Sequence, residues 1–139
     1  MIEFPLHPMV VHFPIALFVT ALGLELLSLI AKKESLHQSA VHIFIIASLL
    51  TPLVVRTGIE EAEELRLTHP VLDKHRLFAL WCMWVSLAAL PVLWFTKKEF
   101  GKYFKVIFLA FLIGVISLVS FTGYHGGRMV YEYGVGIEK

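Results

Sequence analysis

One cysteine, Cys82, stands in an apolar run with no partner in the chain, so an internal disulfide and a Cys-x-x-Cys metal or redox motif are both excluded. It reads as a small buried apolar residue. Charge is scarce as well. Charged residues make up 17% of the chain, the formal net charge is +1, and no basic run or stripe is present, so the electrostatic footprint of a nucleic-acid binder is missing. HExxH does not occur, nor do the two helical Glu-x-x-His motifs that a di-iron bundle needs, nor a Ser, His and acid set with a nucleophile motif. No Lys or Arg precedes the first apolar run and no small-residue cleavage pattern follows it, so that run is expected to stay in the mature protein.

What the chain has in abundance is apolar surface. Its 139 residues are 58% hydrophobic, with a mean hydropathy of +0.76, which places lipid rather than water as the main solvent. Four segments, about 10–31, 39–57, 76–96 and 103–123, are long and apolar enough to cross a bilayer core as helices. They predict a single all-α membrane domain, residues 1–139, built as an up-down-up-down bundle of four transmembrane helices. No segment shows the alternation of a β-barrel, and in lipid every backbone group must find its partner inside the helix.

Direction follows from the connections. Lys32 and Lys33 lie between spans one and two, and Lys97, Lys98, Lys102 and Lys105 between three and four, which predicts cytoplasmic loops there and both termini outside. Trp94, Phe95 and Tyr103 fit one aromatic belt, and Tyr124, Tyr131 and Tyr133 the other. Pro14, Pro52 and Pro91 fall within spans, where each removes a helical hydrogen bond.

With this topology five of the seven histidines, His7, His12, His69, His75 and His125, map to the outer side, and only His37 and His42 to the inner. Imidazoles converging from several helices suit haem, copper or zinc. Stepping 100° per residue, the face below His75 carries Ala79, Cys82, Ser86 and Ala89, that below His12 carries Ala16, Val19 and Gly23, and that before His125 carries Phe121, Leu118 and Gly114. Small residues there leave room for a flat macrocycle, and they equally serve close helix packing. For haem b, His12 and His75 are the expected axial pair and His125 the substitute, with Arg76 and Arg128 as partners for propionates. Alternates for a metal are His7, His69 and His125.

Glu25 lies about seven residues, or ~10 Å of helix rise, inside the cytoplasmic end of span one, and an acid at that depth is a functional group by default. His42 is its expected partner, as a polar or proton-passing pair. His37 and His42, five residues apart on one helix and about 140° apart around it, cannot sandwich one iron. The acidic stretch Ile59–Leu67 reads as a solvated amphipathic linker.

The stretches His7–Leu17 (HPMVVHFPIAL) and Gly126–Gly136 (GGRMVYEYGVG) resemble the two ends of a family of uncharacterised bacterial four-helix integral membrane proteins. Thr57-Gly58 and His75-Arg76 fall where that family places similar residues. The resemblance covers the whole chain and implies the same fold and topology in the bacterial inner membrane. It implies no settled activity, though some family members resemble fusions to or neighbours of c-type cytochromes. The tail after Gly126 reads as a cap over the outer site or as an interfacial anchor.

Three functions are open on these observations: a b-type cytochrome passing electrons between a quinol pool and an outer acceptor such as a c-type cytochrome, a non-haem metal binder or transporter using the same histidines with Glu60 or Glu64, and an accessory subunit without cofactor. An electron-transfer protein is expected ahead of a catalyst. Expected partners are the lipid bilayer, quinone and a redox protein, with a homo-oligomer open and nucleic acid excluded. Few polar residues beyond Thr20, Ser48, Thr51, Ser86 and Ser117 lie near the midplane, which counts against transport.

Overall fold

The computed structural model describes residues 6–64, 66–99 and 103–134. Lys102 and the last residues of the C-terminal signature, Val135 and Gly136, lie outside the described residues. The described chain forms four helices: α1 (Leu6–Ala31), α2 (Glu34–Glu64), α3 (Pro70–Glu99) and α4 (Phe104–Tyr131). Each contains a stretch with mean hydropathy between 1.8 and 2.5, long enough to cross a membrane, and no more than 33% of any such stretch is buried inside the bundle. The remainder faces outward with large apolar side chains, among them Ile30 at 79% and Trp94 at 78% exposure. That surface is intelligible only against lipid.

Inward faces repeat every three or four residues, the spacing that keeps one stripe of a helix turned to its neighbours. On α1 the stripe is Pro14, Phe18, Ala21, Glu25 and Ser28. On α2 it is His37, Ala40, Phe44, Ala47, Ser48, Thr51 and Val54. On α3 it runs through Cys82, Ser86, Ala89 and Leu93, and on α4 through Phe104, Phe108, Leu112 and Val115. Small residues alternate with phenylalanines, so helices approach closely while Phe18, Phe44 and Phe108, each at most 1% exposed, fill the centre. The buried hydroxyls of Ser28, Ser48, Thr51 and Ser86 donate to carbonyls of their own helices, which removes their cost in an apolar interior.

Packing is densest within the two hairpins, α1 with α2 and α3 with α4, and thinner across the seams α2–α3 and α1–α4. Two hairpin-like halves therefore face each other across a seam. One end of the bundle carries both ends of the described chain and the α2–α3 connection. The other carries Lys32, Lys33 and Lys105.

The helices are longer than the sequence suggests. α2 continues to Glu64, so most of the acidic stretch expected to be a linker is helix. α4 continues to Tyr131, so Gly126 and Gly127 lie within a helix rather than in a separate cap. Apolar length sets the bilayer span, but nothing in lipid chemistry stops a helix at the membrane edge. α1 instead stops where Lys32 takes a left-handed backbone (φ 53°), and Arg66 does the same just after α2 (φ 48°).

Candidate functional site

At the terminal end, the start of α1 places His7 on the inward stripe. Its Nδ1–H donates to the carbonyl of Val54 on α2 at 3.0 Å, with the hydroxyl of Thr57 at 3.3 Å. Thr57 itself donates to the same carbonyl at 2.9 Å. The backbone amide of His7 donates to Oε2 of Glu61 at 3.2 Å. A carboxylate at the first turn of a helix meets amides that lack an internal acceptor, so Glu61 anchors α1 on α2.

The second hairpin repeats the device. His75, in the second turn of α3, donates through Nδ1 to the carbonyl of Thr122 on α4 at 2.9 Å. A carbonyl can only accept, so Nδ1 carries the proton in both rings and Nε2 holds the lone pair of the neutral imidazole. The two rings meet across the seam with centroids 6.4 Å apart and planes at 88°.

Glycines sit where the backbone comes nearest these rings. A Cβ on Gly58 would stand 2.8 Å from Cε1 and 2.9 Å from Nδ1 of His7, and one on Gly126 would stand 3.3 Å from Cε1 and Nδ1 of His75. Thr57-Gly58 and Gly126 thus build the seats of two imidazoles. His125, 8% exposed, stacks on Phe78 with centroids 5.4 Å apart and planes 8° from parallel. Its Nδ1 is buried with no hydrogen-bond partner among the described residues.

Several expected roles change. His12, the expected axial partner of His75, lies on an exposed face of α1, about 140° around the helix from His7. His7 takes its place at the seam. Arg128, expected to meet a propionate, is engaged by Glu132 at 2.7 Å and by the hydroxyl of Tyr133 at 2.8 Å, and lies over the rings of Tyr124 and Tyr133. Arg76 is exposed beside His75. His69, an alternate ligand, caps α3: its Nδ1 accepts the amide of Val71 at 3.2 Å, Pro70 follows at the first helical position, and its ring lies 4.4 Å from that of Tyr133.

The opposite end holds a second buried group. Glu25, fully buried, hydrogen-bonds through Oε2 to Nδ1 of His37 at 2.6 Å. The expected partner His42 is exposed instead. His37 is three residues into α2 and lies on the inward stripe, where the rings of Phe104 and Phe108 meet it edge-on at 5.4 and 5.7 Å.

His7 and His37 were findable. Counting back from Glu25 through Ala21, Phe18 and Pro14 in steps of three or four reaches His7, not His12, and the stripe of α2 read from Thr51 and Ala47 reaches His37. The buried acid is the better origin for the count because its burial fixes which face is inside.

Among the described residues no three or more His, Cys, Asp or Glu side chains gather closely enough to hold a metal ion. Glu60, a proposed extra donor, is exposed and paired with Arg56 at 2.7 Å. No curated protein and no solved structure matches the chain. The model of the family described as "Predicted membrane protein (DUF2231)", a domain of unknown function, matches residues 3–139, and the chain belongs to that family.

Proposed function

We propose that this membrane protein is an electron carrier of the b-type cytochrome kind, with one haem held between His7 and His75. The observation that supports it is the ring pair across the seam. Two iron–nitrogen bonds of about 2 Å, plus about 1 Å from each nitrogen to its ring centre, separate the centroids of a bis-histidine pair by about 6 Å. The rings here stand 6.4 Å apart. Each is turned by a backbone carbonyl that fixes its tautomer and leaves Nε2 as the donor, the usual arrangement around a metal-bound histidine. The two ligands come from different hairpins, so a bound group would also tie the halves together.

Haem would supply one-electron chemistry. The chain's part is to orient the imidazoles through Val54 and Thr122, to keep backbone bulk away at Gly58 and Gly126, and to present an apolar, lipid-facing wall. Lysines at the other end support an orientation with the histidine end outside the cytoplasm, in the bacterial inner membrane. Quinol in the bilayer is then the donor class, and a c-type cytochrome or similar redox protein the acceptor class. A four-coordinate metal site is less well supported, because it needs three or four donors around one point.

The test is a reduced-minus-oxidised visible spectrum of protein purified in detergent from a haem-sufficient host. Sharp α and Soret bands with about one haem per chain are expected. A featureless spectrum contradicts the reading.

A further inference from the structure

We propose that Glu25 and His37 form a proton-exchange site: one proton shared between Oε2 and Nδ1, Glu25 neutral, and exchange with water at the lysine-bearing end only. The site is separate from the histidine pair at the other end and does not depend on a haem there.

One carboxyl oxygen of Glu25 is left over. Oε2 of Glu25 meets His37 at 2.6 Å, while Oε1 is buried with no hydrogen-bond partner among the described residues. A carboxylate spreads its negative charge over both oxygens, and a bare charged oxygen in an apolar interior is far more costly than a bare carbonyl oxygen. Protonation resolves this. With the proton on Oε2 and donated to Nδ1, Oε1 becomes a carbonyl oxygen, the imidazole is neutral, and neither partner carries a charge that lipid must accommodate. The surroundings agree, since Phe104 and Phe108 border the ring and Phe18, Phe44 and Phe108 close the space beyond it.

That phenylalanine layer also sets the direction of access. Phe18 and Phe44 pack at 5.5 Å, Phe44 and Phe108 at 5.5 Å, and all three are at most 1% exposed, so the rings separate the pair from the buried hydroxyls of Ser48 and Thr51 farther along α2, which are bonded to their own helix. On the other side, Glu34 stands one turn before His37 on α2, 61% exposed and bonded to Lys105 of α4 at 2.9 Å. Lys97 of α3 lies within electrostatic reach of Glu34. Glu34, within electrostatic reach of His37, is thus flanked by Lys105 from α4 and Lys97 from α3. The route is Glu34, then His37, then Glu25, and each proton that arrives from water replaces one released.

Infrared spectroscopy of the whole protein in lipid at neutral pH reads this directly. A protonated-carboxyl C=O band is expected, lost in Glu25→Gln and downshifted within minutes in D2O while the protein stays folded. If Glu25→Gln does not fold, the 15N signals of His37 serve in the unsubstituted protein: a neutral ring with Nδ1 accepting is expected. An imidazolium with both nitrogens protonated, the absence of the carboxyl band, or a band that ignores D2O would each overturn the proposal. Loss of haem bands without change in this infrared signature would count against the haem alone.

Discussion

His7 and His75 stand with ring centroids 6.4 Å apart and planes at 88° across the seam between two helical hairpins, each held by its Nδ1 to a backbone carbonyl of its own hairpin partner. The backbone seats make the first prediction. Gly58→Ala puts a methyl 2.8 Å from the His7 ring, which must swing off Val54, so a loss of about 1–3 kcal/mol is expected. Gly126→Ala, at 3.3 Å, is expected to lose under about 1 kcal/mol. Gly114→Ala meets nothing within 4 Å and is expected to be neutral or to gain up to about 1 kcal/mol from helix propensity. Thermal unfolding in one detergent ranks the three.

The buried pair at the other end makes the second. Removing one partner of a buried hydrogen bond leaves the other unsatisfied, so Glu25→Ala and His37→Ala are each expected to cost about 1–3 kcal/mol. The double variant Glu25→Leu/His37→Phe is expected to recover most of that loss. His42→Ala, on an exposed face, is expected to change stability by under about 0.5 kcal/mol. An equal effect of His37→Ala and His42→Ala in chemical unfolding would contradict the assigned pairing.

His69 supplies a third. It accepts the amide of Val71 at the start of α3, and losing an N-cap costs about 0.5–2 kcal/mol. His69→Ala is expected to lose about that much, and His69→Asn, whose side-chain oxygen reaches the same amide, to lose less. Were His69 a metal ligand, elemental analysis would show metal lost from both variants alike.

The four helices were readable because lipid imposes one requirement, apolar length, that sequence states directly. Which histidines meet was harder. The first span reads from Val10 if apolar residues alone are counted, which leaves His7 outside it and makes His12 the opening residue. The helix in fact begins by Leu6, since Glu61 of α2 is there to meet its first amides. That contact joins residues 54 positions apart and has no local signature. The pairing of Glu25 failed for a related reason: depth along the helix pointed to the neighbourhood of His42, but rotation about α2 turns that side chain outward and His37 inward. Thr57 and Gly58 were noted only as resembling a family pattern, and their role beside His7 emerges once α1 and α2 are packed.

His7, not His12, is the proposed haem partner of His75. Reduced-minus-oxidised spectra of His7→Ala, His75→Ala and His12→Ala, purified alongside the unsubstituted protein with folding verified by circular dichroism, test it most directly. The expected result is loss of the sharp α band in the first two and its retention in the third. Retention in His7→Ala together with loss in His12→Ala, or haem bands absent from all four proteins, would contradict it.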